Sequence, residues 1–160
     1  YTYNEPSVWY EFVYETAGKA RENGLLNVLV TNGYIEKEPL EQILPYIDAM
    51  NIDLKAFNNR FYRELVRGEL GSVKAAIGRA AAACHVEVTT LVIPGWNDDP
   101  EEMDAMCRWL ASLSPDIPLH LSRYFPNYEM TDRPPTPLDS LKELSETARR
   151  YLKYVYLGNV

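Results

Sequence analysis

Short apolar runs alternate along the chain with stretches in which apolar residues recur every three or four positions. The runs fall near residues 1–3, 26–31, 49–54, 86–93, 117–123 and 154–157, lengths that suit strands better than helices. Behind Pro6, the residues Val8, Trp9, Phe12, Val13, Ala17 and Ala20 mark one helical face, which stops at Gly24. "EKEPLEQILPYI" predicts a short helix turning Leu40, Ile43, Leu44 and Ile47 inward. "NNRFYRELV" and "SVKAAIGRAAAAC" predict a helical stretch broken at Gly68 and Gly71. A further helix starts at Pro100 with Met103, Met106, Cys107, Leu110 and Leu113 on one side, and a last one runs from about Leu138 to Tyr151. Strand and helix in strict succession predict an α/β fold of parallel strands joined by right-handed crossovers. No glycine-rich phosphate loop follows the first strand, which weakens a dinucleotide-binding reading. A partial (β/α) barrel fits better, with sequentially ordered strands, function at their carboxyl ends and an open edge at residues 1–3.

Composition narrows this picture. The 160 residues make one domain with room for a core. Sixteen basic against 23 acidic residues, net −7, speak against a nucleic-acid surface, because gripping phosphates needs clustered Lys and Arg. No apolar run approaches the roughly 18 residues of a membrane helix, and no signal-peptide pattern opens the chain. Cys84 and Cys107, both read as helical, have no metal-ligand spacing and fit reduced thiols of a cytoplasmic protein. The text begins inside a strand without Met and ends on the strand-like "YVYL", so an excerpt of a longer chain is expected.

The predicted strand ends offer Asn4 and Glu5; Thr31 and Asn32; Asp53 and Lys55; Pro94, Gly95 and Asn97; and Arg123, Tyr124 and Phe125. Such a polar rim suits a small polar ligand, with the aromatic rings available for stacking. Each residue also has a plainer role. Glu5 can cap a helix start, favoured by the dipole. Asn32-Gly33 can be a turn, Asp53 and Lys55 an ion pair, Tyr124 and Phe125 packing. One of Thr89 and Thr90 must face the barrel interior, while His85 and His120 are too isolated to suggest a metal. Spacing alone points to an enzyme rim and names no reaction.

"YTYNEPSVWYEF", "VLVTNGY", "YIDAMNIDLKAF", "VEVTTLVIPGWND" and "PLHLSRYFPNY…TDRPPTP", in this order, resemble radical S-adenosylmethionine (SAM) enzymes. The likeness covers residues 1–160 and is to pyruvate formate-lyase activating enzyme-like proteins of the AmmeMemoRadiSam type. It implies a partial barrel, SAM and a [4Fe-4S] cluster, and reductive cleavage of SAM to a 5′-deoxyadenosyl radical that abstracts hydrogen. It also implies an electron donor such as flavodoxin or ferredoxin and a protein or small-molecule substrate. "YNEP" stands in the place of the family's Gly-Gly-Glu motif, so Glu5 is the residue that accepts from the SAM ammonium, and Asn4 replaces a glycine. "VTNG" resembles Asp-Thr-Asn-Gly and assigns Thr31 and Asn32, with Val30 in place of an aspartate that helps to hold a cation. "NIDLK" assigns Asp53 and Lys55. Thr89 stands where the activating enzymes carry an arginine, while Leu91, Tyr124 and Phe125 match the adenine-contacting region.

The family's cluster is bound by three cysteines spaced C-x3-C-x2-C, which this sequence lacks. The expectation is therefore a radical SAM core whose first β/α unit, with the metal ligands, lies upstream, leaving this portion inactive by itself. Two other readings stay open. One is a barrel lyase using Lys55 as a Schiff-base amine, and the other a non-catalytic binding domain.

Overall fold

In this computed structural model, which describes residues 1–160, the chain enters its first helix through a 3₁₀ turn, Pro6–Trp9. α1 (Tyr10–Glu22) follows. It ends where Leu25 donates to the Ala20 carbonyl and Gly24 to that of Arg21 (both 3.0 Å), with Gly24 at φ +73, a left-handed stop that glycine adopts without a Cβ clash. Then come β1 (Val28–Thr31), α2 (Lys37–Ile43) and β2 (Ala49–Asp53). After α3 (Asn59–Phe61) and α4 (Leu70–Ala81) lie β3 (His85–Val92) and α5 (Pro100–Leu113). β4 (Leu119–Arg123), α6 (Leu138–Ala148) and β5 (Val155–Gly158) complete the chain. The strands form one five-stranded sheet in sequence order, and the registers of β1 with β2, β3 with β4 and β4 with β5 are parallel. The chain divides into a unit of residues 1–54 with 71–87 and another of 55–70 with 88–160.

In the first unit Leu29, Met50 and Ile52 pack with Val13, Ala17, Leu40, Ile43, Val73 and Ile77, all buried. In the second, Val88, Val92, Leu119, Leu121 and Val155 form the buried face of the strands, with Met103, Met106, Leu110, Leu141 and Leu144 buried on α5 and α6. Alternate strand residues, Val28, Val30, Leu91 and Tyr156 among them, are exposed, as the two-residue period of a strand requires. Thr90 is the buried member of its pair and lies 3.9 Å from Met106 Sδ, so Thr89 takes the opposite face.

Four expectations are corrected. Residues 1–3 are not a strand: only Tyr1 lines β1, its amino group donating to the Val28 carbonyl (2.6 Å) and its carbonyl accepting from Val30 N–H (2.8 Å). Val8, Trp9 and Phe12 are 72, 63 and 66% exposed; the turn before α1 has about three residues per turn, so a face read at 3.6 slips out of phase. The break before α4 falls at Arg67, at φ +53 after a π turn over Tyr62–Val66, and at Gly68 beside it, whereas Gly71 is already inside α4. Cys84 sits in the bend before β3, not in a helix, while Cys107 is in α5.

In the second unit, Tyr151 donates to Asp104 Oδ1 (2.6 Å) and Arg108 pairs with the same carboxylate. The Tyr151 hydroxyl first, and then Arg108, hold the Asp104 carboxyl below its ordinary range. A depressed carboxyl stabilises the fold above its unfolded pKa and loses that contribution as pH falls. In Tyr151→Phe the Asp104 titration, followed by carboxyl-carbon NMR, should move upward. An unmoved titration would leave the neighbouring arginines, Arg108 and then Arg150, as its determinants.

Candidate functional site

Glu5 immediately precedes the 3₁₀ turn in extended backbone (φ −131, ψ 118). It does more than cap. Oε1 accepts from Ser7 N–H (3.4 Å), Ser7 Oγ (3.2 Å) and Thr31 Oγ1 (2.5 Å), and Oε2 accepts from the Asn32 N–H (2.7 Å). One carboxylate thus ties the first turn to the carboxyl end of β1. The loop beyond is folded by the same residues: Thr31 Oγ1 accepts from Gly33 N–H (3.1 Å) and Asn32 Oδ1 from Tyr34 N–H (2.7 Å). Asn4, next to Glu5, is exposed. Asp53 is half-buried at the carboxyl end of β2. Within the first unit, then, Thr31, Asn32 and Asp53 stand at the carboxyl ends of β1 and β2, and Glu5, which follows no strand, is tied to the first of these ends by its hydrogen bonds.

The second unit shows the same bias. Lys55, past the end of β2, is held by its backbone: its N–H donates to the Tyr62 hydroxyl (3.2 Å) and its carbonyl accepts from Asn97 Nδ2 (2.6 Å). Asn97 is buried. Its Nδ2 also donates to the Leu91 carbonyl (2.8 Å), and its Oδ1 accepts from Ile93 N–H (2.6 Å). This side chain ties the Lys55 and Leu91 carbonyls to the loop that follows β3, a role its polarity alone did not reveal. Thr89 is half-buried and Leu91 exposed on the less buried face of β3. Tyr124 is buried, and its hydroxyl donates to the Met130 carbonyl. Phe125 is exposed and lies under the Arg123 guanidinium, 4.7 Å from its ring centroid. Thr136, fully buried, donates to the Val92 carbonyl (2.6 Å) and accepts from Tyr124 N–H (2.9 Å), which folds the 125–137 loop back onto the ends of β3 and β4.

Two arrangements escape sequence reading. His120 and Tyr156 are register partners on β4 and β5, their rings stacked at 5.3 Å and 26°. The other gathers Arg60, Trp96 and Arg133, the two guanidinium carbons 4.9 and 5.3 Å from the indole centroid. Both depend on pairings between distant segments and leave no local signal.

Neither cysteine is poised for chemistry. Burial, and then Asp48, pushes the Cys84 thiol up to about 11. Burial, and then Asp104, pushes Cys107 up to about 12, and its sulfur lies 3.6 Å from Met103 Sδ. A thiol with so high a pKa is a poor metal ligand or nucleophile. No three His, Cys, Asp or Glu residues are grouped so that they could hold a metal ion. The residues present therefore do not fit an iron–sulfur cluster, which needs several converging thiolates. No helix is long and apolar enough to cross a membrane.

Comparison with known proteins places the chain. A domain of pyruvate-formate lyase-activating enzyme from Bacteroides vulgatus superposes with a TM-score of 0.83 at 19% identity, covering 98% of this chain and 95% of that one. A radical SAM methyltransferase from Sphaerobacter thermophilus superposes at 0.76 with 15% identity, covering 96% of this chain and 48% of the other. At these identities the likeness is one of fold, the α/β partial barrel. An uncharacterised protein of Methanocaldococcus jannaschii is 46% identical over 163 residues, all of this chain and 48% of its own length, so the chain spans about half of that relative. The Radical SAM superfamily profile matches residues 1–109. The chain belongs to the radical SAM superfamily.

Proposed function

We propose that this chain is the SAM-holding portion of an enzyme that reductively cleaves SAM to a 5′-deoxyadenosyl radical for hydrogen abstraction, in the manner of the glycyl-radical activating enzymes. The observation that carries the reading is Glu5, a carboxylate fastened by Thr31 and Asn32 to the carboxyl end of β1 in a superfamily member. A fixed carboxylate suits an ammonium, because a charge-assisted hydrogen bond loses little when its acceptor is already positioned. Asn4, Thr31, Asn32, Asp53 and Lys55 would serve the amino-acid end of SAM. Thr89, Leu91, Tyr124 and Phe125 would serve the nucleoside, with Phe125 the more accessible of the two rings. The [4Fe-4S] cluster would be held by cysteines elsewhere in a longer protein. An electron carrier such as flavodoxin or ferredoxin would reduce it in the cytoplasm.

Glu5→Gln in the full-length protein, reconstituted anaerobically with iron and sulfide, tests this. A charge-assisted bond contributes about 1.5–3 kcal/mol, so calorimetric SAM affinity should fall roughly tenfold to a hundredfold. The 5′-deoxyadenosine formed with dithionite should fall at subsaturating SAM. The fold should hold, because Gln can still accept from Asn32 N–H while its amide donates to the Thr31 hydroxyl. Unchanged affinity in a folded variant would leave Glu5 a purely structural clamp.

A further inference from the structure

The strands of the second unit bury one face and leave the other half-open. Val88, Val92, Leu119, Leu121 and Val155 are buried. The opposite face carries two rows fixed by the strand registers: Thr89, His120 and Tyr156, and then, one step nearer the carboxyl ends, Leu91, Ser122 and Gly158. Tyr156 is 51% exposed, and His120 stacks against its ring (5.3 Å, 26°). Gly158 lies in β5, an edge strand. Its φ is not left-handed, so the backbone there does not call for glycine. A Cβ would come within 3.0 Å of Ser122 Oγ. A glycine so placed in a strand marks the close approach of another group. The missing side chain opens a notch, bordered by Ser122 across the sheet and by the Tyr156 ring along β5.

The notch has a definite chemistry. Neither the Ser122 nor the Tyr156 hydroxyl is bonded to another group of the chain, and a hydroxyl can both donate and accept. The two rows contain no Lys, Arg, Asp or Glu. The nearest basic side chain along β4, Arg123, is turned to the Thr136 carbonyl (2.8 Å) and the Phe125 ring, and Glu87 on β3 meets His85 (3.4 Å). Such a surface offers neutral hydrogen bonds beside an apolar ring, and nothing to neutralise a carboxylate, a phosphate or an amine.

We propose that Ser122, Tyr156 and the notch at Gly158 hold the substrate, and that this substrate is uncharged where it touches them, presenting hydroxyl or amide groups. The inference rests on the proposed SAM function. Thr89 and Leu91, given there to the nucleoside, are the register partners of His120 and Ser122, so Ser122 lies one strand and Gly158 two strands beyond them. Hydrogen abstraction needs the substrate C–H beside the 5′ carbon of the nucleoside, and the neighbouring strands are the place from which to hold it. His120 acts through Tyr156, as the ring that fixes its orientation.

The test needs neither SAM nor cluster, so it succeeds or fails apart from the Glu5→Gln calorimetry. D-Glucose and N-acetylglycinamide, a hydroxyl and an amide probe, are each added to the ¹³C,¹⁵N-labelled chain at about 0.3 M, enough to populate a site of millimolar affinity. At least one should shift the Tyr156 ring and the Ser122 and Gly158 amide signals, and the stronger one gives the substrate's group. The exposed rings of Tyr3 and Tyr128 should stay in place, and acetate and methylammonium at equal concentration should leave the notch signals unmoved. Ser122→Ala and Tyr156→Phe each remove one hydroxyl and should weaken probe binding about three- to tenfold. Gly158→Ala keeps both hydroxyls, fills the notch and should weaken binding as much. Notch signals unmoved by both neutral probes would overturn the proposal. So would an equal response to the charged ones or at Tyr3 and Tyr128, full binding by all three variants, or displacement of the probe by SAM, which would give the notch to the cofactor.

Discussion

Gly33→Ala should lower folding stability by about 3 kcal/mol or more, seen as a fall in the urea midpoint without a change in slope. Two effects combine. The backbone at Gly33 is left-handed (φ +69), where a side chain costs about 1–2 kcal/mol. A Cβ would also stand 2.7 Å from Ile52 Cγ2 and 3.3 Å from Val73 Cγ1, both in the buried core of the first unit. Overpacking such a core typically costs about 1–3 kcal/mol more. Two other glycines separate the terms. Gly24 has the same backbone (φ +73) but open space around its Cβ position, so Gly24→Ala should show the conformational cost alone. Gly71 lies in α4 with nothing near it, so Gly71→Ala should be neutral or slightly stabilising. Equal losses at Gly33 and Gly24 would mean that Ile52 and Val73 give way freely.

Asn97→Ala should cost about 2–3 kcal/mol, because it strands the buried Ile93 N–H and removes the donor to the part-buried Lys55 and Leu91 carbonyls. Asn97→Asp keeps the shape and restores one acceptor, but it faces two carbonyls with an oxygen in place of a donor. It should therefore be no better than alanine. Differential scanning calorimetry of the three proteins decides the matter. A rescue by aspartate would mean that the two carbonyls find water instead.

The alternation of strand and helix was legible because each period comes from local geometry: Leu29, Met50 and Ile52 are inward as a strand pattern demands, and Met103, Met106, Cys107 and Leu110 as a helix demands. Pro6, Gly24 and Pro100 marked boundaries for equally local reasons. What failed depended on partners. An apolar stripe such as Val8, Trp9 and Phe12 shows only that it could be buried, and residues 1–3 had strand chemistry but only Tyr1 finds a strand to pair with. At the site, the hinge position of Glu5 was readable. Its grip on Thr31 and Asn32 was not, because those residues lie 26 and 27 positions away. The cation stack on Trp96 carries no local mark. Its two arginines come from segments 36 residues before it and 37 after it.

The protonated state of both cysteines, Cys107 buried and Cys84 half-buried, has a practical consequence for spectroscopy. With the Cys84 thiol pushed up to about 11, its reactive thiolate near neutral pH is roughly a hundredfold scarcer than that of an unperturbed cysteine, and Cys107, pushed up to about 12, is slower still. The wild-type chain should therefore react slowly with maleimides. A single cysteine introduced on an exposed loop, as in Tyr128→Cys, would take a spin or fluorescent label almost alone. Both native thiols, and the packing of Cys107 against Met103, could be left untouched.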